Sequence, residues 1–178
     1  MRFTLVDRII ELEPGARITT VKNLTMAEEY LAEHFPSFPV MPGVMMIESI
    51  IQAGAWLIRV TEEFKHSVIL LKEARTVKFG QFVTPGKQLK VSCNLLDDDG
   101  ESTILKAKGE IDGRTSVSAK IVLTRFNLRD RHPVYRRDDL RLKSHHLRTF
   151  QMLATPELRE KLRDRTASEA AVGSTQSR

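Results

Sequence analysis

The chain has 178 residues, a length that fits one domain with an appendage. Of these residues 41% are hydrophobic and 29% are charged, which is ordinary for a globular protein. Its single cysteine, Cys93, excludes an intramolecular disulfide framework and fits a reducing cytoplasm, and no N-terminal pattern predicts export. The formal charge of +5 is uneven: residues 1–124 carry 15 basic and 16 acidic side chains, whereas residues 125–178 carry 13 and 7. Electrostatic attraction to a partner is therefore expected mainly from the C-terminal segment.

The first forty residues predict two strands, a short helix and a rigid loop. Residues 3–12 and 16–24 have strand character and are joined by the turn Glu13-Pro14-Gly15. Thr25 is a candidate cap for a short helix over residues 26–31, because Glu28 lies three residues further on. A loop from His34 to Pro42 follows, and its three prolines restrict the backbone.

A long helix is predicted from residue 43 to residue 64. It is apolar on nearly every face through Ile58, as expected of a helix enclosed by other structure. Its apolar run is interrupted by Glu48 and Gln52 and is too short to span a bilayer, so the sequence predicts a core helix. An ionisable group such as Glu48 is costly on a buried helix, and its presence therefore suggests a function.

The rest of the domain predicts strands at residues 68–71, 76–82, 88–96, 103–111 and 116–126, with hairpin turns at residues 98–100 and 112–113. This order predicts an α+β fold in which one antiparallel sheet curls round a long central helix. Cys93 lies in an alternating run and is expected to be a small buried residue rather than a nucleophile. We expect a domain over residues 1–126, a basic helical extension over 127–166 and a disordered tail over 167–178.

One long motif resembles a known family. His34-Phe-Pro-x-x-Pro-Val-Met-Pro-Gly-Val, followed by Glu48 and Gln52, is similar to the signature of the 3-hydroxyacyl-[acyl-carrier-protein] dehydratases, which are hot-dog-fold enzymes of fatty-acid synthesis. The segments at residues 12–15, 21–25 and 83–89 also have counterparts in that family. Where the family has a basic-rich segment that ends in Arg-Pro-Val, residues 78–83 lack the proline and some of the charge.

The resemblance implies a role for four residues, and the position of Gln52 one helical turn beyond Glu48 suggests a fifth. His34 would be the general base that removes a proton from C2 of a 3-hydroxyacyl thioester. Glu48 would position and protonate the departing C3 hydroxyl, or hold the water in the hydration direction. The backbone amide of Gly43 would bind the thioester carbonyl, and the carbonyl of Val40 would orient the ring of His34. Gln52 could hydrogen-bond the carboxyl of Glu48, or could equally satisfy a buried backbone group.

These residue types suit the chemistry without the family. An imidazole is a good base near neutral pH, and a carboxyl on an apolar helix has its neutral form favoured and can donate a proton. A helix N-terminus supplies free amides for a developing enolate. No metal or redox cofactor is expected, and the adjacent His145 and His146 would point in different directions on a helix.

The family also implies partners. The substrate would be carried on acyl carrier protein, and the enzyme would be a homodimer or a trimer of dimers in which His34 faces Glu48 of the partner subunit. The basic extension could dock an acidic partner, or could pack on the sheet or on a neighbouring subunit; no nucleic-acid partner is expected. A hot-dog thioesterase, an acyl-CoA hydratase and a non-catalytic acyl-carrier-binding protein remain as alternatives.

Overall fold

The structure, a computed structural model, describes residues 3–35 and 37–164. Its regular elements are β1 (Arg8–Glu13), β2 (Arg17–Asn23), α1 (Tyr30–Glu33), α2 (Gly43–Thr61), β3 (Val68–Phe79), β4 (Gln88–Asp98), β5 (Ser102–Ile111), β6 (Arg114–Phe126) and α3 (Arg136–Leu153). Two short 3-10 turns, Leu128–Asp130 and Pro133–Tyr135, join β6 to α3, and residues 156–164 are helical. The disorder predicted for residues 167–178 lies outside the described residues.

All six strands form one antiparallel sheet in the order β1-β2-β4-β5-β6-β3, with α2 packed against it. This arrangement confirms the predicted α+β fold and its central helix. By length and composition the 19-residue α2 could cross a membrane, contrary to the expectation that its apolar run is too short. More than half of it is buried inside the protein, as expected of a core helix. A Cβ atom on Gly54 would lie 2.4 Å from Leu105 Cδ1, so a larger residue at this position of α2 would displace the Leu105 side chain of β5.

The two edges of the sheet differ. The outer edge of β1 makes a parallel bridge from Ile9 to Ala154, so the C-terminal extension covers it. The other edge strand, β3, pairs only with β6, and eleven of its twelve residues are half-buried or exposed, with large apolar side chains among them at Leu70, Leu71 and Phe79. In the described part of the chain nothing pairs with the outer side of β3.

Besides the bridge at Ile9, a buried carboxylate and an aromatic contact hold the extension to the domain. The buried carboxylate of Asp139 accepts hydrogen bonds from the amides of Leu128 (2.8 Å) and Arg129 (3.0 Å) and from the hydroxyl of Ser67. Burial alone would raise the pKa of Asp139, but these hydrogen bonds outweigh it and hold the pKa below its usual value. The ring of Phe150 lies 6.2 Å from that of Trp56 on α2.

Some boundaries differ from the sequence prediction. Residues 3–6 are not strand, because their backbone is bound to a side chain of α2, and β1 begins only at Arg8. The short helix predicted over residues 26–31 occupies Tyr30–Glu33 instead, since the hydroxyl of Thr25 accepts from the amide of Ala27 (3.3 Å) in a turn. The strands predicted at 68–71 and 76–82 are one irregular strand, β3, kept continuous by its pairing with β6.

Candidate active site

The loop between α1 and α2 places His34 at the start of a tight turn. His34 follows the last residue of α1, and its half-buried ring lies 4.4 Å from the ring of Phe35. Phe35 has a φ of 51°, a left-handed conformation that is uncommon for a bulky residue, and its carbonyl accepts from the amide of Phe38 (2.8 Å). The strained turn fixes the chain direction immediately after the histidine.

The start of α2 is formed by Pro42 and Gly43. The fixed φ of proline suits this place, and the Pro42 carbonyl accepts from the amide of Met46 (3.2 Å). A Cβ atom on Gly43 would lie 2.9 Å from the ring of Phe79 at the end of β3. Glycine therefore lets the first turn of α2, with its free amide donors, lie directly against the end of the open edge strand.

Glu48 and Gln52 lie one turn apart on α2 and contact each other. The Nε2 atom of Gln52 donates to Glu48 Oε1 (2.9 Å) and to the carbonyl of Phe3 (3.0 Å), while Gln52 Oε1 accepts from the amide of Leu5 (2.9 Å). Both roles considered for Gln52 are therefore fulfilled at once. Gln52 holds the carboxyl of Glu48 and also binds the N-terminal backbone.

Glu48 and Gln52 line a cavity of about 470 Å³. Its walls come from α2, from residues 3–6 and from α3, which contributes His145, His146, Thr149, Met152 and Leu153. The sequence did not indicate that the extension would reach this place. The only signal was the spacing of Phe150 and Leu153 on one face of a basic helix, which predicts packing but not what the helix packs against.

The predicted residues do not all meet within one chain. No hydrogen bond or ion pair joins His34 to Glu48 among residues 3–35 and 37–164, and His34 does not line the cavity. Val40 is buried, but within the described residues its carbonyl makes no hydrogen bond to His34, so its orienting role stays a prediction. Gly43 and Glu48 are five residues apart on α2, which places them roughly 140° apart around the helix axis.

The thiol of Cys93 takes no part in the site. Its side chain is fully buried, its sulfur lies 3.7 Å from the carbonyl of Ile50, and burial raises its pKa to about 12. The thiolate is therefore negligible at neutral pH, and the prediction of a structural cysteine is confirmed.

Comparison with known proteins gives the family. Residues 1–120 match the FabA-like domain. Over 120 residues the chain is 39% identical to the 3-hydroxyacyl-[acyl-carrier-protein] dehydratase FabZ of Clostridium novyi, covering 67% of this chain and 84% of that protein. The chain belongs to the 3-hydroxyacyl-[acyl-carrier-protein] dehydratase family. A relative from Ruminiclostridium cellulolyticum with the same name is 34% identical over 119 residues, covering 67% of this chain and 84% of that protein.

Solved structures support the fold of this family member. The chain superimposes on the dehydratase heterocomplex ApeI:P of Xenorhabdus doucetiae with a TM-score of 0.61 at 17% identity, covering 75% of this chain and 90% of that one. It also matches the PaaI protein of Escherichia coli with a TM-score of 0.52 at 11% identity, covering 66% and 82%. These likenesses confirm the hot-dog fold. The FabA-like match ends at residue 120, so α3 lies outside it.

Proposed function

We propose that this chain converts (3R)-3-hydroxyacyl-[acyl-carrier-protein] to trans-2-enoyl-[acyl-carrier-protein], as a hydro-lyase of fatty-acid synthesis that works in the cytoplasm. Family membership supports this activity, since the relatives are named for it. The observation that carries the proposal is the carboxyl of Glu48, which Gln52 holds at the wall of a cavity on the central helix. A carboxyl placed in this way can serve as the acid of the reaction.

The reaction needs one base, one acid and one oxyanion donor. His34 removes the C2 proton, and the electron pair passes to the thioester oxygen, where the amide of Gly43 stabilises the enolate. The C3–O bond then breaks as Glu48 gives its proton to the hydroxyl, which leaves as water while the C2–C3 double bond forms. Return of the proton from His34 to Glu48 through solvent restores the pair. The carbonyl of Val40 is proposed to hold the ring of His34, and no redox step is involved.

The site is proposed to be completed by a second chain. Glu48 lines the cavity and His34 of the same chain does not, and on this ground the base and the acid of one site are proposed to come from two different chains. The open edge of β3 can pair with the same edge of another copy, and the exposed rings of Phe79 and Phe82 would be covered in such a dimer. Because Phe79 contacts the start of α2, this pairing would bring the partner close to His34 and Gly43.

The solvent face of α3 is proposed to bind the acidic carrier protein. Arg137, Arg141 and Arg148 are exposed and lie within about 40° of each other around the helix axis, while Asp138 and Asp139 lie about 100° and 160° round from Arg137. The sequence left two roles open for the extension, packing on the domain and docking an acidic partner. These roles are proposed to belong to opposite faces of α3, because its inner face packs on α2 and its outer face is basic. Reversing the charge of Arg141 and Arg148 should raise KM for the carrier-linked substrate about ten-fold at low salt. It should leave the coenzyme A thioester unaffected, and Arg114→Glu on a distant hairpin is the control.

The activity is tested with His34→Ala and Glu48→Gln on 3-hydroxyacyl-[acyl-carrier-protein]. Each variant should lower enoyl formation by about 10²–10⁴-fold, the usual contribution of one acid–base group, while the oligomer stays folded. Free thiol is measured in the same assay, because a thioesterase would release it and a dehydratase would not. Near-full turnover of both variants, or thiol release without enoyl product, would overturn the proposal.

A further inference from the structure

The cavity beside Glu48 is elongated along α2. The α2 side chains that line it recur every three or four residues and so form one stripe on the helix: Glu48, Ile51, Gln52, Ala55, Trp56 and Arg59. From Glu48 to Arg59 this stripe rises by about 16 Å, at ~1.5 Å per residue. A cavity of about 470 Å³ with this shape accommodates an extended chain better than a compact ligand.

The polarity of the cavity changes along its length. Its near end holds Glu48 and Gln52, and the apolar side chains of Ile51 and Ala55 follow along α2; Leu153 of α3 also lines the cavity. Its far end is polar and basic: the guanidinium of Arg59 lies 5.1 Å from the centre of the Trp56 ring, and a nitrogen of His146 lies 3.3 Å from the carbonyl of Ser67. An apolar chain that reached this end would have to desolvate these groups, which is unfavourable.

One wall of the cavity belongs to the extension. Thr149, Met152 and Leu153 line it from α3, which lies beyond the FabA-like match. The wall is firmly held, because Asp139 and Phe150 anchor the same helix at two places along its buried face. The part of the chain that matches the FabA-like domain thus carries Glu48 on one wall of the cavity, and the extension forms the opposite wall.

We propose that this cavity holds the acyl chain of the thioester and that α3 sets the longest chain that fits. The assignment rests on the proposed dehydratase function, which places the reacting carbons at Glu48. From there the apolar middle section receives the chain, and the basic end stops it. The stripe from Glu48 to Ala55, short of the basic end, rises by about 10 Å. This is room for roughly eight extended carbon atoms at ~1.2 Å per bond of an extended chain.

The test fills the cavity from the α3 side. Thr149→Leu and Thr149→Trp enlarge a half-buried wall residue in two steps, and Leu147→Trp makes a similar change at an exposed α3 position outside the cavity. Turnover is measured over a series of 3-hydroxyacyl thioesters of increasing length, starting from 3-hydroxybutyryl, with the melting temperature as the check on folding. The Thr149 variants should shorten the longest chain turned over, with kcat/KM falling about ten-fold or more for each length that no longer fits.

The ratio of kcat/KM for the longest chain to kcat/KM for 3-hydroxybutyryl should fall in both Thr149 variants, and Leu147→Trp should keep the parent length profile. A folded Thr149→Leu variant with the parent profile would overturn the assignment, and so would an equal loss at every length. Absence of enoyl product from the parent chain at all lengths would instead refute the dehydratase function itself.

Discussion

Replacing Gln52 with leucine tests whether this side chain positions Glu48. Leucine has nearly the same size but cannot make the three hydrogen bonds of Gln52, to Glu48 Oε1, to the amide of Leu5 and to the carbonyl of Phe3. The carboxyl of Glu48 would then lose the donor that fixes its direction, and the N-terminal segment would lose its tether. Both activity and stability should therefore fall, for separable reasons.

The expected sizes follow from the geometry. Glu48 gains negative charge as it gives up its proton, and a hydrogen bond to a charged group contributes about 1.5–3 kcal/mol. A change of ~1.36 kcal/mol corresponds to a ten-fold change in rate. Because Glu48 is half-buried, we expect the lower part of that range, about a 10–30-fold loss in kcat with little change in KM. The unpaired amide of Leu5 should lower the free energy of unfolding by about 1–3 kcal/mol.

Gln81→Leu is the matched control. Gln81 also donates through Nε2 to two backbone carbonyls, of Ile111 (2.9 Å) and Arg114 (3.2 Å), but it lies away from Glu48 and the cavity. This control should lose stability without losing kcat. Initial rates of enoyl formation give kcat and KM for each variant, and urea unfolding gives the stability.

A double variant separates positioning from a general structural effect. In the Glu48→Gln background, Gln52→Leu should cost little further activity, because the group on which it acts is already gone. If Gln52→Leu lowered kcat by the same factor with and without Glu48, or no more than Gln81→Leu does, the positioning role would be refuted.

Three further predictions concern the anchor, the helix start and the edge strand. Asp139→Asn should lower the unfolding free energy by about 1–3 kcal/mol at neutral pH. Because the folded pKa of Asp139 is depressed, the difference from the parent should shrink as the pH falls below the unfolded pKa of ~3.9, as measured by urea unfolding against pH. Asp138→Asn, at an exposed position, should show little difference from the parent at either pH. Gly43→Ala should lower kcat/KM about ten-fold, because its Cβ atom displaces a ring that packs on the oxyanion donor; a parent-like rate would contradict this. Leu70→Lys should convert dimers to monomers in size-exclusion chromatography, whereas Leu140→Lys on α3 should not.

The sequence predicted the architecture where a pattern was long and local. The apolar helix α2 and the alternating strands β4, β5 and β6 were found within a few residues of their true ends, because each buries a face with its own period. The sequence also placed Glu48 and Gln52 on one helix face, four residues apart, and their hydrogen bond confirms that pairing. The family was recognisable because its motif is long and specific.

Contacts between distant segments were not predictable in this way. Residues 3–6 have strand-like composition, yet a single side chain 47 residues away, Gln52, captures their backbone. The sequence predicts two strands where the structure has β3, because Lys72, Glu73 and Arg75 interrupt the apolar pattern. In the structure the pairing with β6 continues past these residues. The helical extension was expected from its charge pattern, but its approach to the acid depends on Asp139 and Phe150, whose partners lie on other elements.

Mixing two inactive variants tests whether two chains share each active site. His34→Ala and Glu48→Gln chains are unfolded together, refolded as mixed dimers and assayed for enoyl formation from 3-hydroxyacyl-[acyl-carrier-protein]. If His34 of one chain works with Glu48 of the other, half of the dimers are mixed and each has one intact site, so about a quarter of the parent activity should return. Activity no higher than that of the separate variants would contradict the shared site.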